Sequence, residues 1–133
     1  MGSVKWTLLF AALCAFLQFG LTALVILRRA QTGVDLLHGG DQSLLRRIRA
    51  HGNFSENTPM ALLLLALLEL SGMATVWLIG LGSALVLGRS LHALALLTNN
   101  ASWSRRGGMV LTLLVLSLQA VLCLWQFVQL PVR

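Results

Sequence analysis

Apolar and polar positions alternate in long blocks along this chain, not residue by residue. A first block runs from about Val4 to Leu27 and stops at two arginines, Arg28 and Arg29. The third and fourth, about Thr75 to Leu97 and Gly108 to Leu130, are equally apolar. Each supplies the about 20 residues that a helix needs to cross a bilayer. The second block differs. In "RRIRAHGNFSENTPMALLLLALLEL", Arg46 to Leu70, the pure hydrocarbon from Met60 to Leu68 is only nine residues long. A full span there must take in polar residues, and Arg49 to Leu70 gives 22 residues, about 33 Å at 1.5 Å per residue. The pattern therefore predicts four antiparallel helices over about 4–27, 45–70, 75–97 and 108–130: an all-α, integral membrane four-helix bundle in one domain, 1–133.

Breakers support these limits. Gly33, Gly39 and Gly40 interrupt the first connection, and Asp41 is placed to cap the second helix. Ser71 and Gly72 end it in a tight turn, and Pro131 closes the fourth. The apolar run Trp6 to Leu27, 22 residues, exceeds the about 7–15 of a signal-peptide core and has no small-residue cleavage site after it. It reads as a span. Pro59, inside the second helix, frees the Ser55 carbonyl and is expected to bend the span.

Composition agrees. Of 133 residues, 57% are hydrophobic and 11% charged, less than half the about 25% usual in soluble domains. Net charge is +6, and eight of the ten Lys and Arg residues fall between Arg28 and Arg106. Arginines between spans mark membrane orientation better than nucleic-acid binding, and they place the basic connections in the cytoplasm. Cys14 and Cys123 lie inside apolar runs and read as small buried side chains. Gly80, Ala84 and Gly88, every fourth residue, form a small-residue stripe suited to close helix packing. Glu69 is read as an interfacial charge, and the four tryptophans, near span ends, as interface anchors.

The polar groups of the second span carry the candidate chemistry. Arg46, Arg49, Asn53 and Glu56 are spaced 3, 4 and 3 apart and share one stripe, while His51 points nearly the opposite way. Charge at membrane depth costs roughly 2.5–3.5 kcal/mol per group and persists where it faces protein or a water-filled cavity. Arg89 breaks the third span at a depth matching Glu56, and the two are expected to share one polar cavity, with His92 one turn on. Arg28, Arg49 and Arg89 around a single carboxylate leave an anion missing. Guanidinium groups grip carboxylates bidentately, and Glu56 suits an ammonium, so a small zwitterionic peptide fits. No metal-ligand cluster, phosphate-cradling glycine loop or Ser–His–Asp set is legible.

"RAHGNFSENTP" (Arg49 to Pro59) resembles the signature of the membrane-associated proteins in eicosanoid and glutathione metabolism, the MAPEG family. "GRSLHALAL" (Gly88 to Leu96) resembles its third helix, "RRGGMVLTLL" (Arg105 to Leu114) the start of its fourth, and "HGGD…LLRRIRAHGNF" its bacterial branch. That resemblance implies a homotrimer binding glutathione between subunits near the cytosolic face. It implies glutathione contacts from Arg28, Arg49, His51, Asn53, Glu56 and Arg89, with His51 serving a neighbouring subunit; His92 joins them through its place one turn beyond Arg89. Arg105, with Arg106 as the alternative one residue on, falls where the family has the arginine that stabilises the glutathione thiolate. The implied activity is a glutathione transferase, or a glutathione-dependent peroxidase, acting on a lipophilic electrophile from the bilayer without a metal. The chain departs from the family pattern in having no tyrosine: Asn57, His92 and Leu96 stand where relatives carry tyrosines. The rival reading is a non-catalytic membrane protein that keeps the fold around a structural Glu/Arg network. A transporter is disfavoured by the absence of an inverted repeat.

Overall fold

The computed structural model describes residues 4–98 and 103–130, with the side chains of residues 104 and 105 outside that description. Four helices follow in chain order: α1 (Lys5–Thr32), α2 (Gln42–Leu70), α3 (Thr75–Thr98) and α4 (Trp103–Gln129). Lys5–Thr32, Thr75–Thr98 and Arg106–Gln129 are each long and apolar enough to cross a membrane. α2 is not, because its first half is too polar, and its crossing follows from its neighbours. The start of α1 lies against the end of α2, through Trp6, Thr7 and Glu69. The end of α1 lies against the start of α2, through Arg28 and Asp41. A helix held to an apolar span at both ends spans with it.

α2 and α3 form the middle of the bundle. Each touches both outer helices, whereas among the described residues α1 and α4 share no contact. The core between them is aliphatic and aromatic: Phe10 and Leu21 from α1, Phe54 and Leu65 from α2, Leu81 and Leu85 from α3, Val115 from α4. Of the small residues on α3, Gly88 meets Gly108 O and Thr112 of α4, and Gly82 lies under the Phe10 ring, whereas a Cβ on Gly80 would meet open space. Close approach in the absence of a hydrophobic drive between helices needs such positions. α2 runs unbroken through Pro59.

Three sequence expectations are adjusted. α1 continues five residues beyond Leu27, and α4 starts five before Gly108. Hydropathy marks where lipid ends, and a helix keeps its hydrogen bonds past that edge. Asp41 caps α2 as expected, accepting from Leu44 N–H. Glu69, read as an interfacial charge, is not a free one: at the span's end it is buried, and its two carboxylate oxygens accept from Trp6 N–H and Thr7 N–H at 2.8 Å each. Val4, the residue before α1, offers no side-chain cap, so a carboxylate from the end of α2 supplies it, where the helix dipole also favours negative charge. Glu69→Ala is expected to cost about 0.5–2 kcal/mol, the usual worth of a cap, with Glu69→Gln losing less. Thermal unfolding in detergent checks this, and an unchanged midpoint in Glu69→Ala would show that the α1 N-terminus finds its partners elsewhere.

Candidate functional site

Positions 46, 49 and 53 recur at helical spacing and turn one edge of α2 toward α3 and α4. There the structure opens a cavity of about 560 Å³. α2 contributes Leu45, Arg46, Arg49 and Asn53 to its wall, α3 contributes His92 and Leu96, and α4 contributes Arg106 and Met109. Three guanidinium groups and an imidazole line it, and no carboxylate does. Opposed cations in one cavity repel unless an anion sits between them, so the wall is built for a negatively charged guest.

Close packing of α3 on α4 creates this convergence. A Cβ built on Gly108 would come within 2.7 Å of both Gly88 O and His92 N. Arg106, two residues before Gly108, lines the same cavity as His92. Thr112 donates to Gly108 O at 2.8 Å and takes up its own hydroxyl within α4.

Behind the cavity wall lies Arg89, 1% exposed. Its Nη2 donates to Asn53 Oδ1 at 2.8 Å and its Nη1 to Asn53 O at 3.5 Å, while Nε has no partner. Asn53 thus has Arg89 on one side and the cavity on the other. A guanidinium at this depth is costly, and here a neutral amide, not a carboxylate, receives it.

The structure separates the residues that the sequence grouped. Arg49, Asn53, Arg89 and His92 come together, joined by Arg46 and Arg106. Glu56 does not share the cavity with Arg89: its side chain is exposed and belongs to neither cavity wall nor hydrogen-bond set. At 100° per residue, Arg49 and Glu56 lie about 40–60° round from Asn53, at the outer edge of the stripe, where both are exposed. Arg28 faces away from the cavity as well. It pairs with Asp41 at 2.7 Å and clasps the α1–α2 connection. The Arg28 guanidinium, and after it the Leu44 N–H, hold the Asp41 carboxyl below the usual carboxylate range.

His51 turns to α1, nearly opposite the cavity, where Gln18 Nε2 lies 2.8 Å from His51 Nε2 and donates to Ser55 Oγ at 2.8 Å. Gln18 is a polar group that sequence reasoning missed: one amide in an apolar run, about three turns of helix before Arg28 and Arg29, carries little signal. Arg105 lies on α4 with its side chain outside the described residues, and Arg106 is the guanidinium seen in the cavity wall. On the far side of Arg89, an apolar groove of about 530 Å³ runs between α1 and α3, floored by Phe54 and edged by Phe16, Leu94 and Leu97. Arg89 and Ser90 are its polar residues.

Residues 7–125 match the model of the MAPEG family. Among curated proteins, the inner membrane protein YecN of Escherichia coli, in its K12 and CFT073 strains alike, is similar to this chain. Each is 34% identical over 118 residues, covering 88% of this chain and 88% of the relative.

Proposed function

The chain belongs to the MAPEG family of four-helix integral membrane proteins, and from that premise we propose that it binds glutathione and uses its thiolate against lipophilic electrophiles. One observation carries the reading: the cavity between α2, α3 and α4, with Arg46, Arg49, Arg106 and His92 in its wall and no carboxylate among them. Glutathione brings two carboxylates, one ammonium and one thiol. Its carboxylates take the arginines, through charge-assisted and bidentate hydrogen bonds. A thiol of pKa about 8.5 is mostly protonated at neutral pH, and a guanidinium beside it favours the thiolate. Arg106 or its neighbour Arg105 fills that role. The thiolate forms an S–C bond to the electrophile, whose leaving group departs or whose activated double bond takes up a proton. With a hydroperoxide in place of the electrophile, two glutathiones give disulfide, alcohol and water.

Exposed residues on α2 support an assembly around this site. Arg49, Glu56, Met60, Leu63, Leu67 and Leu70 are all exposed in the single chain, at spacings of 7, 4, 3, 4 and 3, one continuous stripe. Arg49 and Glu56 in that stripe are at membrane depth, where charge faces protein rather than lipid. A homotrimer with α2 at its centre covers the stripe, puts Glu56 beside the guest's ammonium, and lets Arg28 and His51 serve a neighbour's site. The similarity to an inner membrane protein supports the same location here, with the arginine-rich end in the cytoplasm.

A second reading rests on Leu96. It lines the cavity, at a position where relatives carry a hydroxyl, and it points to a binding protein without efficient chemistry. Calorimetric titration of glutathione into the detergent-solubilised protein tests both. The native chain is expected to bind, and Arg49→Ala to bind about 10- to 150-fold more weakly, the worth of one hydrogen bond to a charged group at about 1.5–3 kcal/mol. Equal affinity in the two would remove Arg49 and with it the site. An ultraviolet thiolate band on the bound tripeptide, abolished in Arg106→Ala or Arg105→Ala, would separate chemistry from binding alone.

A further inference from the structure

The connection between α1 and α2 is built as a rigid presenting loop. α1 ends at Thr32, and Gly33 turns the chain in the left-handed region, φ +67°, with its N–H on Arg29 O. Arg29 Nη1 then donates to Val34 O at 2.9 Å and to Asp35 O at 2.8 Å. The segment is therefore folded back beside the last turn of α1, not extended beyond it. Gly39 packs so closely on Val34 that a Cβ there would meet Val34 Cγ2 at 2.8 Å. Asp41 N–H closes the loop on His38 O, and Asp41 itself is held by Arg28. Between these clamps stand Leu36 and Leu37, 82% and 80% exposed. Leu37 adopts φ +54°, alone among the described non-glycine residues in the left-handed region, a conformation that costs energy and is kept only when its surroundings enforce it.

Two adjacent leucines pointed outward by a clamped, strained loop need an apolar neighbour. We infer that Leu36 and Leu37 form a wedge inserted into the bilayer at the boundary between headgroups and acyl chains. The depth agrees. Arg29 lies only two residues, about 3 Å, past Leu27, the last apolar residue of the span. Each headgroup layer is about 5–7 Å thick, so the loop held beside Arg29 lies within it. Exposed aliphatic side chains also stand just before the arginines: Ile26 and Leu27 at the end of α1 are 60% and 57% exposed, so the apolar surface of the span reaches the start of the turn that presents the wedge. Arg28 and Arg29 sit where anionic headgroups attract them. The wedge then fixes the end of α1 and, through Arg28 and Asp41, the start of α2 at a set depth. It follows from membrane insertion alone and does not depend on the guest of the cationic cavity.

Photo-crosslinking tests it on the full chain. Leu36 is replaced by p-benzoylphenylalanine, a change its exposure accommodates, and the protein is placed in nanodiscs of phosphatidylethanolamine and phosphatidylglycerol. Illumination is expected to give mainly a chain carrying the mass of one phospholipid. A covalent dimer as the main product would assign the leucines to a second copy and overturn the inference. So would the absence of any adduct, which would place them in water.

Discussion

Replacing Asn53 by leucine is expected to destabilise the protein by about 3–5 kcal/mol, the usual cost of stranding a buried charge. Asn53 Oδ1 is the short acceptor for the Arg89 guanidinium. Without it Arg89, 1% exposed, keeps only the 3.5 Å contact to the Asn53 carbonyl. Removing the charge as well should reverse most of the effect, because a well-packed apolar pair often does no worse than the polar pair it replaces. Asn53→Leu/Arg89→Met is thus expected to be more stable than Asn53→Leu alone. Unfolding in mixed micelles of native, single and double variants gives the coupling energy directly. Additive losses would mean that Arg89 is satisfied by some other group, and the Arg89–Asn53 pair would cease to explain the polar middle of α2. The double variant should also lose glutathione binding, since Asn53 is part of the cavity wall.

Gly108→Ala should act on stability and guest binding together. The added methyl would press on Gly88 O, His92 N and His92 Cβ, all within 2.9 Å. Two of these are backbone atoms that cannot turn aside, so α3 and α4 must separate. Overpacking of this kind costs about 1–3 kcal/mol, and it shifts Arg106 relative to His92 in the cavity wall. Gly107→Ala, one residue earlier, meets nothing within 4 Å. It should be neutral or slightly stabilising, since alanine is favoured over glycine in a helix by up to about 1 kcal/mol. Unfolding midpoints and glutathione titrations of the two variants make the comparison. If Gly108→Ala proved as benign as Gly107→Ala, the close seam would not be what shapes the cavity.

Both expectations depend on features that differ in how far the sequence revealed them. The spacing of Arg46, Arg49 and Asn53 announced one face of α2, and Arg89 and His92 a matching face of α3. Those residues do converge. Glu56 belongs to the same stripe on a helical projection, yet it lies beyond the rim. A stripe fixes azimuth to within some tens of degrees, and only the positions of α3 and α4 decide where the wall ends. Arg28 is grouped with the site by its charge and by the family resemblance. Within the single chain it pairs with Asp41, 13 residues on, because a carboxylate at a helix cap is closer than the chain's own cavity. Glu69 carried no local sign of its role, since its partners, Trp6 and Thr7, are more than 60 residues away. The family resemblance and the comparisons agree on the fold, and they leave the guest and its chemistry to the titrations above.

The sequence by itself determined the number of helices, their antiparallel order, the turn at Ser71 and Gly72, and the cap at Asp41. Each rests on the local rules of helix periodicity, breakers and hydrocarbon thickness, which act within one segment. Only the tertiary structure decided that Arg106 shares a cavity wall with His92, that Arg89 binds an amide in place of a carboxylate, and that Leu36 and Leu37 are held outward. The first two depend on how closely segments far apart in the chain approach, and the third on the clasp of Arg28 and Arg29 over the α1–α2 connection, contacts that neither periodicity nor hydropathy encodes.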